Sequence, residues 1–246
     1  MRAASPVPVK TVLVNTPDIE VWPGGLLRAR SNHDARVLSR ATRVLRRKRD
    51  GRYLAAEVPE GLMPLVHGLG REDGLQDALD ALEANPVHAR AGLERVFELP
   101  LTRLHERLDA LGLDEADYAE RSGLTLVAEP DRLGFAGFDR YRRPLWLLPN
   151  AARAWQHMQA DAMRSDVVLE SISGYRSHDY QLGIFERKLA RGQTVEEILT
   201  VNAAPGYSEH HGGRALDIGT PDEPPAEETF EKTAAFDWLQ RNAEGH

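Results

Sequence analysis

An α+β fold is predicted for the C-terminal part of the sequence, because short apolar strands and amphipathic helices follow one another there without strict alternation. The segment "RPLWLL" is typical of a strand. Pro149 and Asn150 start a helix, with Asn150 as its expected cap, and Trp155 and Ala162 share a stripe that we expect to be buried. The next segment, "DVVLESISG", alternates as a strand does.

The remaining elements complete the order strand, helix, strand, helix, helix, loop, strand, helix. Ser177 is placed to cap a helix in which Phe185 lies on the apolar face. Thr194 and Glu197 have the spacing of a capping box for the helix that follows. A loop then enters the strand "ALDIG", and "TFEKTAAFDWLQRNAEGH" is typical of a last helix.

The preceding sequence carries fewer signals. Residues 1–100 are predicted to be a mainly helical N-terminal region of unknown role, residues 101–135 a helical connector, and residues 136–246 the domain with the motifs described below. The basic segment "DARVLSRATRVLRRKRDGR" could be a nucleic-acid patch, or a solvated helix with Val37 and Leu45 facing a core. We favour the helix, because the rest of the chain is acidic and no aromatic residues interleave with the arginines.

Composition excludes several classes of function. The chain has 246 residues and a net charge of −7, which argues against a general nucleic-acid-binding protein. It contains no cysteine, so thiolate chemistry, disulfides and cysteine-ligated zinc are excluded. No apolar run approaches the roughly 20 residues of a membrane span. The first residues lack the apolar segment of a secretory signal, and the chain as written is therefore expected to be cytoplasmic.

The stretch "PGYSEHHGGRALDIG" concentrates polar groups around two glycines. His210 and Asp217 carry side chains that bind Zn²⁺ well. Gly212 and Gly213 permit a tight turn that would bring Asp217 back beside His210, with Ser208 close enough to orient a ligand or contact a substrate. The alternative is a histidine in a polar turn and an aspartate that caps its own backbone. Spacing alone does not decide between the two.

A second group of polar residues lies upstream, in "SGYRSHDYQ". Arg176 is predicted on a strand-to-helix turn, where its guanidinium could bind a carboxylate through two hydrogen bonds or form a surface salt bridge. Gln181 follows near the first turn of the helix and could bind a peptide group. We expect His178 and His211 to be exposed neighbours rather than ligands.

Together the two stretches resemble the zinc D-alanyl-D-alanine carboxypeptidases of the VanY type, which are LAS-type metallopeptidases. The hallmark of that family, Ser-x-His-x-x-Gly-x-Ala-x-Asp, is complete here at Ser208, His210, Gly213, Ala215 and Asp217. The upstream Ser-Gly-Tyr-Arg-Ser, followed by Tyr-Gln, is also intact. The resemblance covers about residues 136–246 and says nothing about residues 1–100.

The resemblance implies a small antiparallel sheet flanked by helices, and a site that holds one Zn²⁺ ion. His210 and Asp217 would be zinc ligands, and Arg176 would bind the terminal carboxylate of the substrate. Ser208 and Gln181 would contact the substrate near the scissile bond. The implied reaction removes a C-terminal D-alanine from a peptidoglycan stem peptide, with zinc activating a water molecule.

One part of the family pattern is missing. The family supplies its general base and third zinc ligand from a Glu-x-x-His, and no such motif follows Asp217 in this sequence. Glu244 and His246 are only two residues apart, and we do not assign the missing roles to them. The expectation is therefore a chain truncated before that motif, inactive as it stands and without a general base.

Two alternatives remain open at the level of sequence. The first is an L,D-carboxypeptidase or an endolysin-like endopeptidase that acts on the cell wall. The second is a catalytically inactive module that binds cell-wall peptides. Members of the family often act at the cell envelope, so a periplasmic location is the alternative to a cytoplasmic one.

Overall fold

The computed structural model of the protein describes residues 11–84, 96–225 and 227–246. These residues form two compact units. The first unit contains the described parts of residues 13–132 together with residues 176–212. The second unit contains residues 11–12, 133–175 and the described part of 213–246. Among the described residues, no helix combines the length and the apolar character that crossing a membrane requires.

Strands and helices are numbered along the chain. The strands are β1 (Val12–Asn15), β2 (Ile19–Pro23), β3 (Arg43–Arg47), β4 (Tyr53–Val58), β5 (Gly61–Pro64), β6 (Arg132–Phe138), β7 (Pro144–Leu147), β8 (Glu170–Ser173) and β9 (Asp217–Gly219). The helices are α1 (Asn32–Leu38), α2 (Leu75–Ala84), α3 (Leu104–Asp109), α4 (Glu115–Ser122), α5 (Pro149–Arg164), α6 (His178–Leu189), α7 (Val195–Leu199) and α8 (Ala234–Asn242).

The first unit contains an antiparallel meander in which β1 to β5 pair in the order β5-β4-β3-β2-β1. Val21 of β2 lies between Val14 and Leu45 on the neighbouring strands. The prediction of a mainly helical N-terminal region does not match its described residues, which form five strands beside the helices α1 and α2. The short apolar sequence "VLVN" forms β1.

The basic segment forms a strand rather than the predicted helix. Helix α1 ends at Leu38, and the arginine-rich residues after it form β3. The arginines pair with carboxylates of neighbouring elements: Arg43 with Glu57 at 2.7 Å and Arg46 with Glu20 at 2.6 Å. These cross-strand pairs compensate the positive charge of the arginines, which the predicted helix would have exposed to solvent. Apolar residues in a helical pattern, as at positions 37 and 45, did not distinguish a short helix from a strand.

The helices of the first unit pack around one apolar cluster. Its buried members come from α3, α4, α6, α7 and the loops that follow them: Leu104, Leu108, Leu111, Leu113, Tyr118, Phe185, Ile198, Ala204 and Tyr207. Helices α3 and α4 lie within the connector that was predicted to be helical, and Leu101 before α3 is exposed. Because α6 and α7 share this cluster with α3 and α4, residues 176–212 pack with the N-terminal part of the chain, across the boundaries expected at residues 100 and 135.

Both helix starts predicted near the motifs are confirmed. The Ser177 hydroxyl accepts a hydrogen bond from the Tyr180 N–H at the start of α6. Thr194 and Glu197 form both hydrogen bonds of a capping box at the start of α7. Since such caps satisfy N–H groups that have no partner within the helix, they set where α6 begins, two residues after Arg176.

The second unit pairs β6 with β7 and β8 with β9, both antiparallel. Its apolar cluster includes Trp155 and Ala162 of α5 and Trp238 of α8, so the predicted stripe on α5 is buried. The expected cap at Asn150 is wrong: Leu148 occupies that position without a side-chain hydrogen bond. Pro149 is the first helical residue, where the missing N–H of proline costs nothing.

The predicted fold class is confirmed. Every strand pair that the described residues form is antiparallel, and helices cover the sheets of both units. The predicted order of elements from "RPLWLL" onward is also observed, as β7, α5, β8, α6, α7, a loop, β9 and α8. The strands are shorter than the apolar runs that predicted them.

Gly213 is required by the backbone at the start of the segment that leads to β9. Its φ is +68°, and a Cβ there would lie 2.7 Å from Cδ2 of Leu133 and 3.3 Å from the main-chain nitrogen of Leu148. The Leu148 N–H also donates to the Gly213 carbonyl at 2.7 Å, which ties this turn to the start of α5. A side chain at position 213 therefore meets both backbone strain and a steric clash.

Gly213→Ala should lower the free energy of unfolding by at least about 1 kcal/mol, because a left-handed conformation alone costs an L-residue this much. The measurement is equilibrium denaturation in urea. Gly70→Ala is the matched control, since Gly70 has no positive φ and nothing lies within 4 Å of its added Cβ. Equal stability of both variants and the unmodified protein would contradict the assignment.

Candidate active site

The two predicted motif segments contact one another through the main chain of Arg176. The Arg176 N–H donates to the carbonyl of His210 at 3.2 Å. The Arg176 carbonyl accepts a hydrogen bond from Nδ1 of His211 at 2.7 Å. Two consecutive histidines thus hold both polar groups of one peptide residue, which fixes the backbone from which the arginine side chain extends.

The local sequence places Arg176 on the predicted strand-to-helix turn. Strand β8 ends at Ser173, and Gly174 follows where a Cβ would lie 2.7 Å from Cδ1 of Leu145. The next residue, Tyr175, donates its N–H to the carbonyl of Trp146 at 3.0 Å. Ser177 caps α6, so Arg176 is the one residue between the hydrogen-bonded Tyr175 and the helix cap. Its side chain is half-buried.

His210 lies in a short 3-10 helix, Glu209–Gly212, and is buried. Its Nε2 is 3.2 Å from Nη2 of Arg176. Because a guanidinium only donates hydrogen bonds, Nε2 of His210 accepts this one, and the proton of the neutral ring is then on Nδ1. The sequence predicted both residues for one site, and the first unit brings them into contact.

His211 was predicted to be exposed, and this prediction is wrong: its relative exposure is 0%. Nε2 accepts a hydrogen bond from the Gly206 N–H at 3.1 Å, so Nδ1 carries the proton that is donated to Arg176. Burial, with a smaller contribution from His178, lowers the pKa of the His211 ring to about 3. The ring therefore stays neutral and joins the loop at Gly206 to the turn at Arg176.

His178 was also predicted to be exposed, and it is 4% exposed. Its Nε2 donates to the carbonyl of Val127 at 2.9 Å, and its main-chain N–H donates to Oε1 of Glu129 at 2.8 Å. Its ring meets that of His211 edge to face, with centroids 4.4 Å apart. Burial lowers the pKa of His178, while the Glu129 carboxylate opposes this shift. No local sequence pattern predicts that either histidine is buried, because the groups that bond to them lie far away in the sequence.

Glu129 connects these groups to the N-terminal part of the chain. Its Oε2 accepts a hydrogen bond from Nζ of Lys48 at 2.7 Å, and both side chains are buried. Asn15 donates to the same oxygen at 3.1 Å. No sequence motif indicates Lys48 or Glu129, although a buried charge pair of this kind is unusual and demands several compensating hydrogen bonds.

Gln181 and Ser208 were predicted to contact a substrate, and both are buried. The Gln181 amide nitrogen donates to the carbonyl of Ala203 at 2.8 Å. Its Oε1 has no hydrogen-bond partner among the described residues. Ser208 accepts a main-chain hydrogen bond from His211 through its carbonyl, at 3.0 Å. Their contact with a substrate stays a prediction.

Asp217 begins β9 and is half-buried. In the second unit it pairs with Ser173, the first residue of the upstream motif, across the β8–β9 ladder. His210 belongs to the first unit, so the predicted approach of its imidazole to the Asp217 carboxylate stays a prediction.

The side chains at these positions only partly suit zinc. An imidazole and a carboxylate are suitable donors, but a catalytic zinc site takes three protein ligands. In the part of the chain that the structure describes, no group of three or more histidine, aspartate or glutamate side chains is arranged to hold a metal ion. His246 lies elsewhere, 3.6 Å from Asp161 and against the ring of Trp238. His210 and Asp217 alone therefore do not make a catalytic zinc site.

Known proteins resemble part of this chain. A relative from Bacillus subtilis (strain 168), the putative carboxypeptidase YodJ, is 32% identical over 108 residues. The match covers 43% of this chain and 39% of the relative, so the chain spans about two fifths of that protein.

Two solved structures are also similar. The LdcB LD-carboxypeptidase, whose structure reveals the molecular basis of peptidoglycan recognition, is 30% identical with a TM-score of 0.39, covering 44% of this chain and 51% of its own. A mutant of the vancomycin-resistance D,D-pentapeptidase VanY from the VanB-type cassette, in complex with Zn(II), is 24% identical with a TM-score of 0.32, covering 40% and 57%. These TM-scores are low and establish no shared fold.

A family model matches the segment that carries both motifs. The match runs over residues 145–246, and the family is VanY, D-alanyl-D-alanine carboxypeptidase. Both predicted motifs lie within these residues. The resemblance predicted from them is thereby confirmed for residues 145–246, which match the VanY carboxypeptidase family.

Proposed function

We propose that this protein is a zinc-dependent carboxypeptidase of the cell wall, which removes a C-terminal D-alanine from peptidoglycan stem peptides. The observation that carries the proposal is the complete pair of motifs within a segment that matches the VanY family. The proximity of Arg176 to His210 supports it, because the group that binds the terminal carboxylate and a metal ligand belong to one site in a metallocarboxypeptidase. A zinc ion on Nε2 of His210 would replace the hydrogen bond from Arg176. A stem peptide is thus the proposed partner, and nucleic acid is not.

Arg176 is proposed to bind the free carboxylate at the end of the substrate. A guanidinium offers two parallel N–H groups that match a carboxylate, and the half-buried position strengthens such a pair relative to a fully solvated one. The Arg176 main chain donates a hydrogen bond to the His210 carbonyl and accepts one from the His211 ring, and these bonds hold the backbone from which the side chain extends before a substrate binds. Recognition of the carboxylate would restrict cleavage to the last peptide bond.

His210 and Asp217 are proposed as ligands of the zinc ion, with Ser208 and Gln181 near the scissile peptide. When bound, zinc polarises the scissile carbonyl and lowers the pKa of a water molecule. The family pattern assigns the removal of the water proton to the glutamate of a Glu-x-x-His, and none follows Asp217. We therefore propose that the 246 residues bind and orient the peptide, and that full activity needs a further ligand and a base.

Arg176→Ala should weaken binding of acetyl-lysyl-D-alanyl-D-alanine by about tenfold or more, since a hydrogen-bonded charge pair is lost. The same change should barely alter binding of the C-terminal amide of that peptide, which lacks the carboxylate. Both dissociation constants can be measured by isothermal titration calorimetry on the 246-residue chain. Arg153→Ala, on the exposed face of α5, is the control. An equal loss on both peptides would mean that Arg176 has only a structural role.

His210→Ala and Asp217→Ala should each lower the affinity for Zn²⁺ by more than about tenfold, as loss of even a supporting residue costs 10–100-fold. Equilibrium dialysis followed by metal analysis measures this, with the exposed His157→Ala as control. Zinc binding that neither substitution weakens would contradict the assigned ligands.

Release of D-alanine from a pentapeptide should be about 10²–10⁴-fold slower for the 246-residue chain than for a version extended by downstream coding sequence that encodes a Glu-x-x-His, because a general base contributes this much. Fast release with stoichiometric zinc from the 246 residues would contradict this expectation. Preference for a tetrapeptide would favour an L,D-carboxypeptidase, and binding without turnover in both versions would favour a binding module.

A further inference from the structure

We infer that Arg176 is positioned through a buried polar chain that begins at Lys48 in the N-terminal region. The buried polar chain is Lys48, Glu129, His178 and His211. It starts directly after β3 and ends at the Arg176 carbonyl, entirely within the first unit. The role assigned to it, control of the preference for a free C-terminal carboxylate, rests on the proposed function.

The contact nearest to the site is the hydrogen bond from Nδ1 of His211 to the Arg176 carbonyl. At 2.7 Å it is short, and its donor is defined, because Nε2 of the same ring accepts from the Gly206 N–H. A ring with both nitrogens engaged and no exposed surface cannot rotate without losing two buried hydrogen bonds. The position of the Arg176 main chain is therefore coupled to the orientation of this one ring.

His178 holds that ring from the side. The two imidazoles meet edge to face, and His178 is itself fixed by its Nε2–H bond to Val127 and by its main-chain N–H bond to Glu129. Both rings are buried, so the contact between them is one of close packing. A displaced His178 would leave a void beside His211, and closely packed interiors transmit such changes.

The Glu129 carboxylate accepts the hydrogen bond from the His178 main chain while Lys48 neutralises its charge. Neither residue belongs to the segment that matches the VanY family. A buried pair of this kind contributes little to stability compared with an apolar pair, but loss of one partner leaves an uncompensated charge in the interior. The pair is therefore better explained by the position it imposes on the start of α6 than by stability.

The test compares two amide substitutions at position 211. Asparagine places an N–H donor close to where Nδ1 lies, whereas glutamine extends its amide toward the place of Nε2 and offers no donor to Arg176. The measured quantity is the ratio of the dissociation constants for the amide and the free acid of acetyl-lysyl-D-alanyl-D-alanine. We expect His211→Gln to lower this ratio by about tenfold, and His211→Asn to keep it within about threefold of the unmodified protein.

Lys48→Met tests the far end of the chain against a matched control. Arg43→Met removes a cation of β3 that pairs with Glu57 and is not a member of the buried polar chain. We expect Lys48→Met to lower the ratio and Arg43→Met to leave it unchanged. Phe185→Leu, in the apolar cluster of the first unit, controls for loss of stability alone and should also leave the ratio unchanged.

The outcomes separate the two proposals. If the unmodified protein binds the acid and the amide equally, the proposed recognition of the carboxylate fails. If it prefers the acid, and His211→Gln keeps that preference, the positioning role of His211 is overturned. If Arg43→Met or Phe185→Leu lowers the ratio as much as Lys48→Met does, Lys48 contributes only to the stability of the protein. If Lys48→Met does not fold, the comparison of His211→Gln with His211→Asn still tests whether the buried polar chain positions Arg176.

Discussion

The two hydrogen bonds to the main chain of Arg176 are the interaction on which the candidate site depends. An arginine side chain has four rotatable torsions, so it can be directed only if its backbone is held first. The His210 carbonyl and the His211 ring hold it from both sides, and they come from a segment more than thirty positions further along the chain. These two bonds bring the part of the upstream motif that carries Arg176 against the part of the downstream motif that carries His210.

Holding the arginine in this way requires a neutral imidazole in the interior. A charged ring would lose the acceptor for Gly206, and it would face the desolvation cost of an isolated charge. Burial keeps the pKa of His211 far below neutrality, so that its two hydrogen bonds persist. The same interior accommodates a genuine charge pair at Lys48 and Glu129, where each ion has hydrogen-bonding partners. Neutral and charged groups thus occupy distinct places in one polar core.

The division of the chain into compact units explains why these contacts arise. Helices α6 and α7 carry apolar faces that pack on α3 and α4, and so the region from Arg176 to Gly212 joins the unit that also contains the N-terminal sheet. The segment that matches the VanY family therefore shares a core with residues outside the match. Its strands β8 and β9, with Asp217, lie in the other unit and pack with α5 and α8.

Sequence alone determined the fold class, the order of elements from "RPLWLL" onward, the caps at Ser177 and Thr194, and the family of residues 145–246. These depend on local spacing, on which nearby side chains act. The strand at Arg43–Arg47 and the burial of His178 and His211 were decided only by tertiary structure. An arginine becomes a strand residue when carboxylates on neighbouring strands compensate it, and a histidine is buried when distant backbone groups satisfy both its nitrogens. Such partners lie far away in sequence, and no local pattern records them.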